Sequence, residues 1–258
     1  YLLEKIKAEN ETDEFIDNGE CVTSADNFSN ELRKKIIDCR KAFGKGILFF
    51  GDSHAKDIFN SYQYTGQNKF IIGLTANFCQ AHETINHCYF PELQDFLNAY
   101  PDTFRKIYFH QAGYFLLTEK EYELNDKYFL EQLPLRKNSA KFGISRDRVQ
   151  ALKSNLKSLS DEIIIIGPRI EPHIQQKYIN KYSCRHNFKA RDNLSIAFKT
   201  LDEYFQENFP SDKYVSLQKL TNFSMNEDFI NCDEIFWSDG DHWSKSGEKR
   251  FSRFLRKL

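Results

Sequence analysis

The chain lacks an excess of charge of either sign. Its 258 residues include 36 Lys and Arg and 37 Asp and Glu, so the formal net charge is −1. General nucleic-acid binders usually carry a basic excess. The balance therefore argues against a nucleic-acid partner.

Long apolar segments are also missing. The longest apolar run is Ile163–Gly167, far shorter than the roughly 18–20 residues that a membrane span requires. The start of the chain has no basic, apolar and small-residue succession of the kind that forms a secretory signal peptide. Because the chain begins with Tyr1 rather than Met, we expect a soluble part of a longer protein.

No C-x-x-C pair occurs among the six cysteines, which argues against a zinc ribbon or a thioredoxin-like site. Two interpretations remain: unrelated buried thiols in a cytosolic enzyme, or disulfides in an exported domain. The short polar loop between Cys79 and Cys88, which leads to Pro91, favours disulfides. The favoured pairing is sequential: Cys21–Cys39, Cys79–Cys88 and Cys184–Cys232.

No metal-ligand spacing is found among the histidines His82, His87, His173 and His186. Neither a metal nor a cofactor is predicted.

Short apolar segments alternate with helical patterns along the chain. The predicted strands are Gly46–Phe50, Lys69–Ile72, Lys106–His110, Glu162–Ile166 and Lys213–Leu217. The predicted helices are Asn30–Phe43, Ala55–Tyr62, 91–99, 120–132, 145–159, 190–208 and Lys245–Leu258. This alternation predicts an α/β fold whose parallel sheet carries helices on both faces. Residues 111–144 exceed a normal connection and are a candidate lid or insertion over the site, whereas 1–20 are predicted as a linker or a surface helix.

The first predicted strand leads directly into Gly51-Asp-Ser-His54 and then a helix. Ligands of parallel sheets bind at the carboxyl ends of the strands. A hydroxyl there has backbone N–H groups and the positive end of a helix beside it, as oxyanion stabilisation requires. Ser53 is therefore a candidate nucleophile. The alternative is that Ser53 only caps the helix.

The base is predicted in Ser238-Asp-Gly-Asp-His-Trp-Ser244, a loop between the last strand and the last helix. The three-residue spacing of Asp239 and His242 lets the carboxylate meet Nδ1 of the ring and leaves Nε2 for the serine. Asp241 ranks second as the orienting carboxylate, because a residue adjacent to His242 does not easily meet its ring. His54 is a poor candidate for the base, since neighbours at such a turn diverge. The alternative interpretation of the loop is an exposed acidic turn.

These two motifs, at this separation and in this order, resemble the first and last blocks of the SGNH hydrolase family over residues 44–258. Further details resemble the SGNH domains joined to acyltransferase-3 membrane proteins. They are the GDSHA sequence, the close pair Cys79 and Cys88, an upstream pair like Cys21 and Cys39, and a DxDHxSxxG ending that begins at Asp239.

The resemblance implies a flavodoxin-like three-layer α/β/α sandwich with a mainly parallel five-stranded sheet. Residues 1–43 would then form a linker or extension that packs on the domain, and 44–258 the catalytic domain. It further implies a location on the periplasmic or extracellular face of the cytoplasmic membrane. The expected function is O-acylation, usually O-acetylation, of an envelope glycan such as O-antigen or peptidoglycan. The acyl group would come from cytoplasmic acyl-CoA through a membrane-spanning partner domain and pass through an acyl-serine on Ser53.

Oxyanion donors are harder to assign. The family uses a glycine after the second strand and an asparagine after the third, for which Gly73 and Gln111 are the candidates here. Asn77 lies near the expected site, and the alternative for it is a role in a turn. The alternative for Gln111 is that it only lines the pocket. Two other functions also stay open: a free-standing carbohydrate O-acetylesterase, and a non-catalytic glycan-binding module with a relic site.

Overall fold

The computed structural model describes residues 21–83, 88–119, 142–174, 179, 184, 187–188 and 194–258. Within these ranges no helix is both long enough and apolar enough to cross a membrane. Several sequence predictions lie outside the described residues. They are the linker at 1–20, the helix at 120–132, most of the candidate lid at 111–144, the start of the helix at 190–208, His87 and His186.

Secondary structure follows the predicted alternation. The strands are β1 (Cys21–Ala25), β2 (Gly46–Gly51), β3 (Phe70–Thr75), β4 (Phe104–His110), β5 (Leu117–Glu119), β6 (Phe142–Ile144), β7 (Ile163–Ile166) and β8 (Tyr214–Val215). The α-helices are α1 (Asn30–Phe43), α2 (Ser53–Gln63), α3 (Phe90–Ala99), α4 (Arg146–Leu159), α5 (Leu194–Asn208), α6 (Leu217–Thr221), α7 (Met225–Asp228) and α8 (Lys245–Leu255). Each of the five predicted strands overlaps a strand of the structure.

In the described part of the chain the central sheet has six strands in the order β1-β3-β2-β4-β7-β8, and all of their pairings are parallel. The prediction of five strands is therefore wrong by one. The additional strand is β1, which pairs with β3 at the edge of the sheet. Its sequence, Cys-Val-Thr-Ser-Ala, is too polar to stand out as a buried run. Residues 21–43 thus add an edge strand and a helix, while the domain boundary at residue 44 stays a prediction.

Each face of the sheet is covered by its own apolar cluster, because successive side chains of a strand point to opposite faces. Leu48 and Phe50 of β2 pack in the cluster that includes α1, α3, α4 and α5. Ile47 and Phe49 pack in the cluster that includes α2, α6 and α8. Helices therefore lie on both faces, an arrangement compatible with a three-layer α/β/α fold.

The order of the strands determines where a ligand can bind. From β2 the chain moves to β3 on one side, and β4 lies on the other side of β2. Open parallel sheets bind ligands in the crevice where the order reverses in this way. That crevice lies at the carboxyl ends of β2 and β4, directly before Ser53 and Gln111.

The predicted sequential disulfide pairing is confirmed. The Cα–Cα distances are 5.6 Å for Cys21–Cys39, 5.8 Å for Cys79–Cys88 and 5.0 Å for Cys184–Cys232, all within the usual range. Cys21–Cys39 joins β1 to α1, and thereby the edge strand to the helix that covers it. Three disulfides are typical of domains that fold in an oxidising compartment.

Removal of the disulfides should destabilise the fold in the order of the loops that they close. The sequence separations are 9 residues for Cys79–Cys88, 18 for Cys21–Cys39 and 48 for Cys184–Cys232. Chain-entropy estimates for such loops give losses of about 2.5, 3 and 4 kcal/mol for the paired Cys→Ala variants. Urea unfolding of the three variants measures these losses, and a reversed order would contradict the expectation.

Candidate active site

Ser53, His242 and Asp239 lie in one hydrogen-bonded row. The Oγ atom of Ser53 is 2.8 Å from Nε2 of His242, and Nδ1 of the same ring is 2.9 Å from Oδ2 of Asp239. Ser53 and His242 are 189 positions apart in the chain. In the tautomer with a proton on Nδ1, the ring donates to Asp239 and leaves Nε2 to accept from the serine hydroxyl. This is the geometry that activates a serine for nucleophilic attack.

The turn that carries Ser53 depends on Gly51. Its φ is +142°, and a Cβ at this position would lie 1.8 Å from the carbonyl oxygen of His110, so only glycine allows β2 and β4 to end so close together. The hydroxyl of the buried Tyr89 is 2.9 Å from both the N–H and the carbonyl oxygen of Gly51. The end of β2 that leads into Ser53 is therefore fixed both by its close contact with β4 and by its hydrogen bonds to Tyr89.

Asp52, and not Ser53, is the N-cap of α2. Its carboxylate accepts from the N–H of His54 at 2.9 Å and from the N–H of Ala112, after β4, at 2.9 Å. The interpretation of Ser53 as the helix cap is therefore wrong. Burial raises the pKa of Asp52 to about 7, partly offset by these two backbone hydrogen bonds.

One amide at the start of α2 is left for a ligand. The first four N–H groups of a helix have no partner within it. That of His54 is bound by the Asp52 side chain, and those of Ala55 and Lys56 by the Asp52 carbonyl oxygen. Among the described residues, no acceptor is found for the N–H of Ser53, which lies at the positive end of the helix. It is therefore a candidate oxyanion donor.

The loop that carries His242 is shaped by Asp239. Oδ1 of Asp239 accepts from the N–H of Asp241 at 3.0 Å and from that of His242 at 2.7 Å. The same carboxylate thus closes the turn with one oxygen and orients the imidazole with the other. The carbonyl oxygen of Gly240 accepts from the N–H of His173 at 2.7 Å, which packs the turn against the segment after β7.

A buried carboxylate joins this loop to the serine helix. Asp57 lies one turn after Ser53 on α2, and its Oδ2 accepts from the N–H of Trp243 at 2.9 Å. The same oxygen accepts from Nη2 of Arg169 at 2.6 Å, and Arg169 also donates to the carbonyl oxygen of Asp241. The Arg169 guanidinium lies over the Trp243 ring, 4.7 Å from its centre. These contacts hold His242 next to Ser53.

Asp241 is a second carboxylate on the same histidine. Its Oδ1 is 3.4 Å from Nδ1 of His242, and its Oδ2 is 3.3 Å from Nε2 of His54. The expectation that a residue adjacent to His242 would not meet its ring is therefore wrong. Asp239 keeps the shorter contact, and its side chain is 46 % exposed against 14 % for that of Asp241.

Sequence reasoning missed the buried groups behind Asp241. His54 is 1 % exposed, and its Nδ1 lies 3.7 Å from Oε1 of the fully buried Glu171. Glu171 accepts from the N–H of Gly113 at 2.7 Å and is hydrogen-bonded to Nε2 of His173 at 2.9 Å. Only the adjacency of His54 to Ser53 pointed toward this network, since Glu171 and His173 follow β7 with no motif around them.

The charges around His242 determine its protonation. Burial alone would lower its pKa, but the hydrogen bonds and negative charges of Asp239 and Asp241 outweigh burial and raise the pKa above the usual value. Burial, together with the positive charge of Arg169, lowers the pKa of His54 well below its usual value. His54 is therefore neutral at physiological pH, while the charge of Asp241 is directed at His242.

A pocket of about 270 Å³ opens over the row, and Ser53, His242 and Asp239 line it. Its other walls include Asn77, Phe78, Tyr114, Phe115 and His173. The predicted residue Asn77 is exposed and lies in this wall. The pocket therefore combines a serine hydroxyl, an imidazole hydrogen-bonded to it and an aromatic wall.

The other two predicted oxyanion residues lie elsewhere. Gly73 is inside β3, paired with Phe49 and Ser24 of the neighbouring strands, and a Cβ there would lie 2.6 Å from the Phe59 ring. Its lack of a side chain thus serves packing against α2. The side chain of Gln111 accepts from the N–H of Ala81 at 3.0 Å and braces the loop after β3. Neither residue is among those described as lining the pocket.

The side chains of His54, Asp241 and His242 also lie close enough together to be considered as metal ligands. Their nitrogen and oxygen atoms already contact one another, Asp239 and Ser53, so we assign no metal to them. Comparison with models of known protein families and with curated proteins gave no match for this chain. The site is therefore interpreted from its own geometry.

Asp241→Asn should lower the pKa of His242, because a negative charge beside the imidazolium is lost. The His242 pKa is higher in the folded than in the unfolded state, so its protonated form stabilises the fold at low pH, and this contribution is lost as pH rises through the raised value. NMR titration of labelled histidine measures the midpoint at which His242 loses its proton. In the Asp241→Asn variant this midpoint should lie about one pH unit or more below that of the wild type.

Asp233→Asn, at an exposed position, is the matched control and should leave the His242 midpoint unchanged. A midpoint that is the same in the Asp241→Asn variant and the wild type would contradict the electrostatic role of Asp241.

Proposed function

We propose that this chain is an extracytoplasmic, serine-dependent acyl-transfer domain that acylates a hydroxyl of a cell-envelope glycan. The observation that carries the proposal is the contact of Ser53 Oγ with His242 Nε2 at 2.8 Å, with Asp239 2.9 Å from the opposite ring nitrogen. Acyl transfer needs this combination of nucleophile, base and orienting carboxylate.

The reaction would proceed in two halves. In the neutral form of His242, Nε2 takes the hydroxyl proton while Ser53 Oγ attacks the acyl carbonyl carbon, and the N–H of Ser53 binds the developing oxyanion. The tetrahedral intermediate collapses to an acyl-serine, and the leaving group of the acyl donor takes the proton from His242. A sugar hydroxyl then attacks the acyl-serine with the same base, and Ser53 is released with its proton restored.

The assignment to envelope glycans rests on the resemblance to SGNH domains of acyltransferase-3 proteins. Three observations support it: the sequential disulfides, the GDSH turn after β2, and the row formed with the DxxH loop. Without β1, the strand order is β3-β2-β4-β7-β8, which is the flavodoxin-like order. The proposed partners are a membrane-spanning acyltransferase-3 domain supplying acyl groups from acyl-CoA, and a glycan such as O-antigen, another surface polysaccharide or peptidoglycan.

Hydrolysis is the second candidate function. The side chains of Asp239 and His242 are 46 % and 29 % exposed, so water can approach the base from the pocket. Water and a sugar hydroxyl would compete for the same acyl-serine. A carbohydrate O-acetylesterase would therefore use the same residues.

A fluorophosphonate probe tests the nucleophile. Wild-type protein should be labelled at one serine, and Ser53→Ala should abolish the labelling, whereas Ser158→Ala, an exposed serine on α4, should not. His242→Ala and Asp239→Asn should each reduce the labelling rate by about 10²-fold or more, because the hydroxyl loses its base or the base loses its orientation.

Circular dichroism and thermal melts of the same variants separate chemistry from folding. Slow labelling in a folded variant supports the proposed roles. Collapse of the fold in His242→Ala or Asp239→Asn would count against them, and a wild-type protein that is not labelled but still binds sugars would indicate a non-catalytic glycan-binding module.

A further inference from the structure

Phe78 is a large apolar side chain exposed at the candidate site. Its exposed fraction is 61 %, and it lines the same pocket as Ser53 and His242. It belongs to neither of the two apolar clusters of the described chain. The exposed ring gives the fold little burial energy, and its place in the pocket beside Ser53 makes it a candidate ligand contact.

The backbone at Phe78 is also in an unfavourable conformation. Its φ is +61°, in the left-handed region that Gly and Asn adopt readily and bulky side chains adopt at a cost. Such residues persist where the surrounding structure holds them, and they cluster at ligand sites. A Gly or Asn would suit this turn better, so the phenyl ring needs a separate reason.

The loop around Phe78 is firmly held. Cys79 is fully buried and bonded to Cys88, and its N–H donates to the carbonyl oxygen of Ala76 at 3.1 Å. Gln111 accepts from the N–H of Ala81 at 3.0 Å, and Asn155 of α4 donates to the Ala81 carbonyl oxygen at 2.8 Å. The ring is therefore presented from a rigid support.

The charge of the pocket limits the kind of ligand. Its described lining includes Asp52, Asp239 and Asp241 but neither Lys nor Arg. A phosphate or carboxylate would be repelled by Asp239 and Asp241, and the His242 ring is already paired with both of these acids. The lining therefore favours a neutral ligand.

We propose that Phe78 is a stacking platform for the neutral sugar ring that carries the reacting hydroxyl. A pyranose has one face of C–H groups, which can lie on an aromatic ring, and a rim of hydroxyls that needs polar partners. Asn77 and Asp239 line the same pocket and supply amide and carboxylate groups for that rim. The inference rests on the proposed acyl transfer and specifies which residue recognises the acceptor.

Paired ester substrates test the platform. The sugar probe is the 6-O-acetyl ester of methyl glucoside, which keeps its other hydroxyls free, and the probe without a sugar is 4-nitrophenyl acetate. In hydrolysis of the sugar ester, the sugar is the leaving group and departs from the same part of the pocket that it would occupy as acceptor in acyl transfer. The hydrolysis rate therefore reports on the acceptor site. Phe78→Ala should lower kcat/KM for the sugar ester by up to about tenfold and leave that for 4-nitrophenyl acetate nearly unchanged. Phe78→Trp should retain both activities.

Phe43→Ala is the matched control, because Phe43 is also exposed, at 41 %, but lies at the end of α1. It should change neither activity. Equal loss on both esters in Phe78→Ala, no loss on the sugar ester, or a wild-type enzyme that cleaves only the small ester would overturn the platform. If Phe78→Ala lowered kcat/KM only for 4-nitrophenyl octanoate, the ring would instead be a contact for an acyl chain. Failure of the proposed function itself would appear differently, as a wild-type protein that cleaves neither ester and resists the fluorophosphonate.

A thermal melt adds a result that a structural role would not give. Phe78→Asn should leave Tm unchanged or raise it by about 2–4 °C, because Asn suits the left-handed backbone, while activity on the sugar ester falls. A lower Tm in this variant would indicate that the ring stabilises the fold, and would overturn the proposal.

Discussion

The site depends on one buried carboxylate, that of Asp57. It binds the guanidinium of Arg169 and the N–H of Trp243 with the same oxygen, and so connects α2, the segment after β7 and the loop of His242. A buried ion pair is a costly way to stabilise a fold, because both charges lose their hydration. Here the role of the ion pair is to position the side chains of the site. Asp57 lies one turn from Ser53, and Trp243 is the neighbour of His242, so the pair aligns the imidazole with the serine hydroxyl.

A second constraint is the balance of charge around His242. Asp239 and Asp241 both contact the Nδ1 side of the ring, and together they favour its protonated form. The neutral, buried His54 holds Asp241 from the other side. The two acids differ in their surroundings. Asp239 accepts from the backbone N–H groups of the turn as well as contacting the ring, whereas Asp241 is the more buried of the two.

The sheet shows how sequence patterns succeed and fail. The run Ile-Leu-Phe-Phe in β2 is fully buried, and three of the four isoleucines of β7 are buried, so their composition alone indicates central strands. β1 pairs on one side only and contains Thr and Ser, so it carries no such mark. Gly73 matched a motif by its position after an apolar run, yet β3 continues past it to Thr75, which leaves it inside the sheet.

The sequence by itself determined the alternation of strands and helices, the short loop that pairs Cys79 with Cys88, and the two motifs that contain Ser53, Asp239 and His242. These features are local, because each depends on apolar periodicity, loop length or short spacing along the chain. Tertiary structure decided what lies between distant segments: the sixth strand, the contact of Asp241 with His54, the network through Glu171, and the exposed ring of Phe78 over the pocket. Such contacts arise from packing between segments far apart in the chain, and no spacing within one segment encodes them.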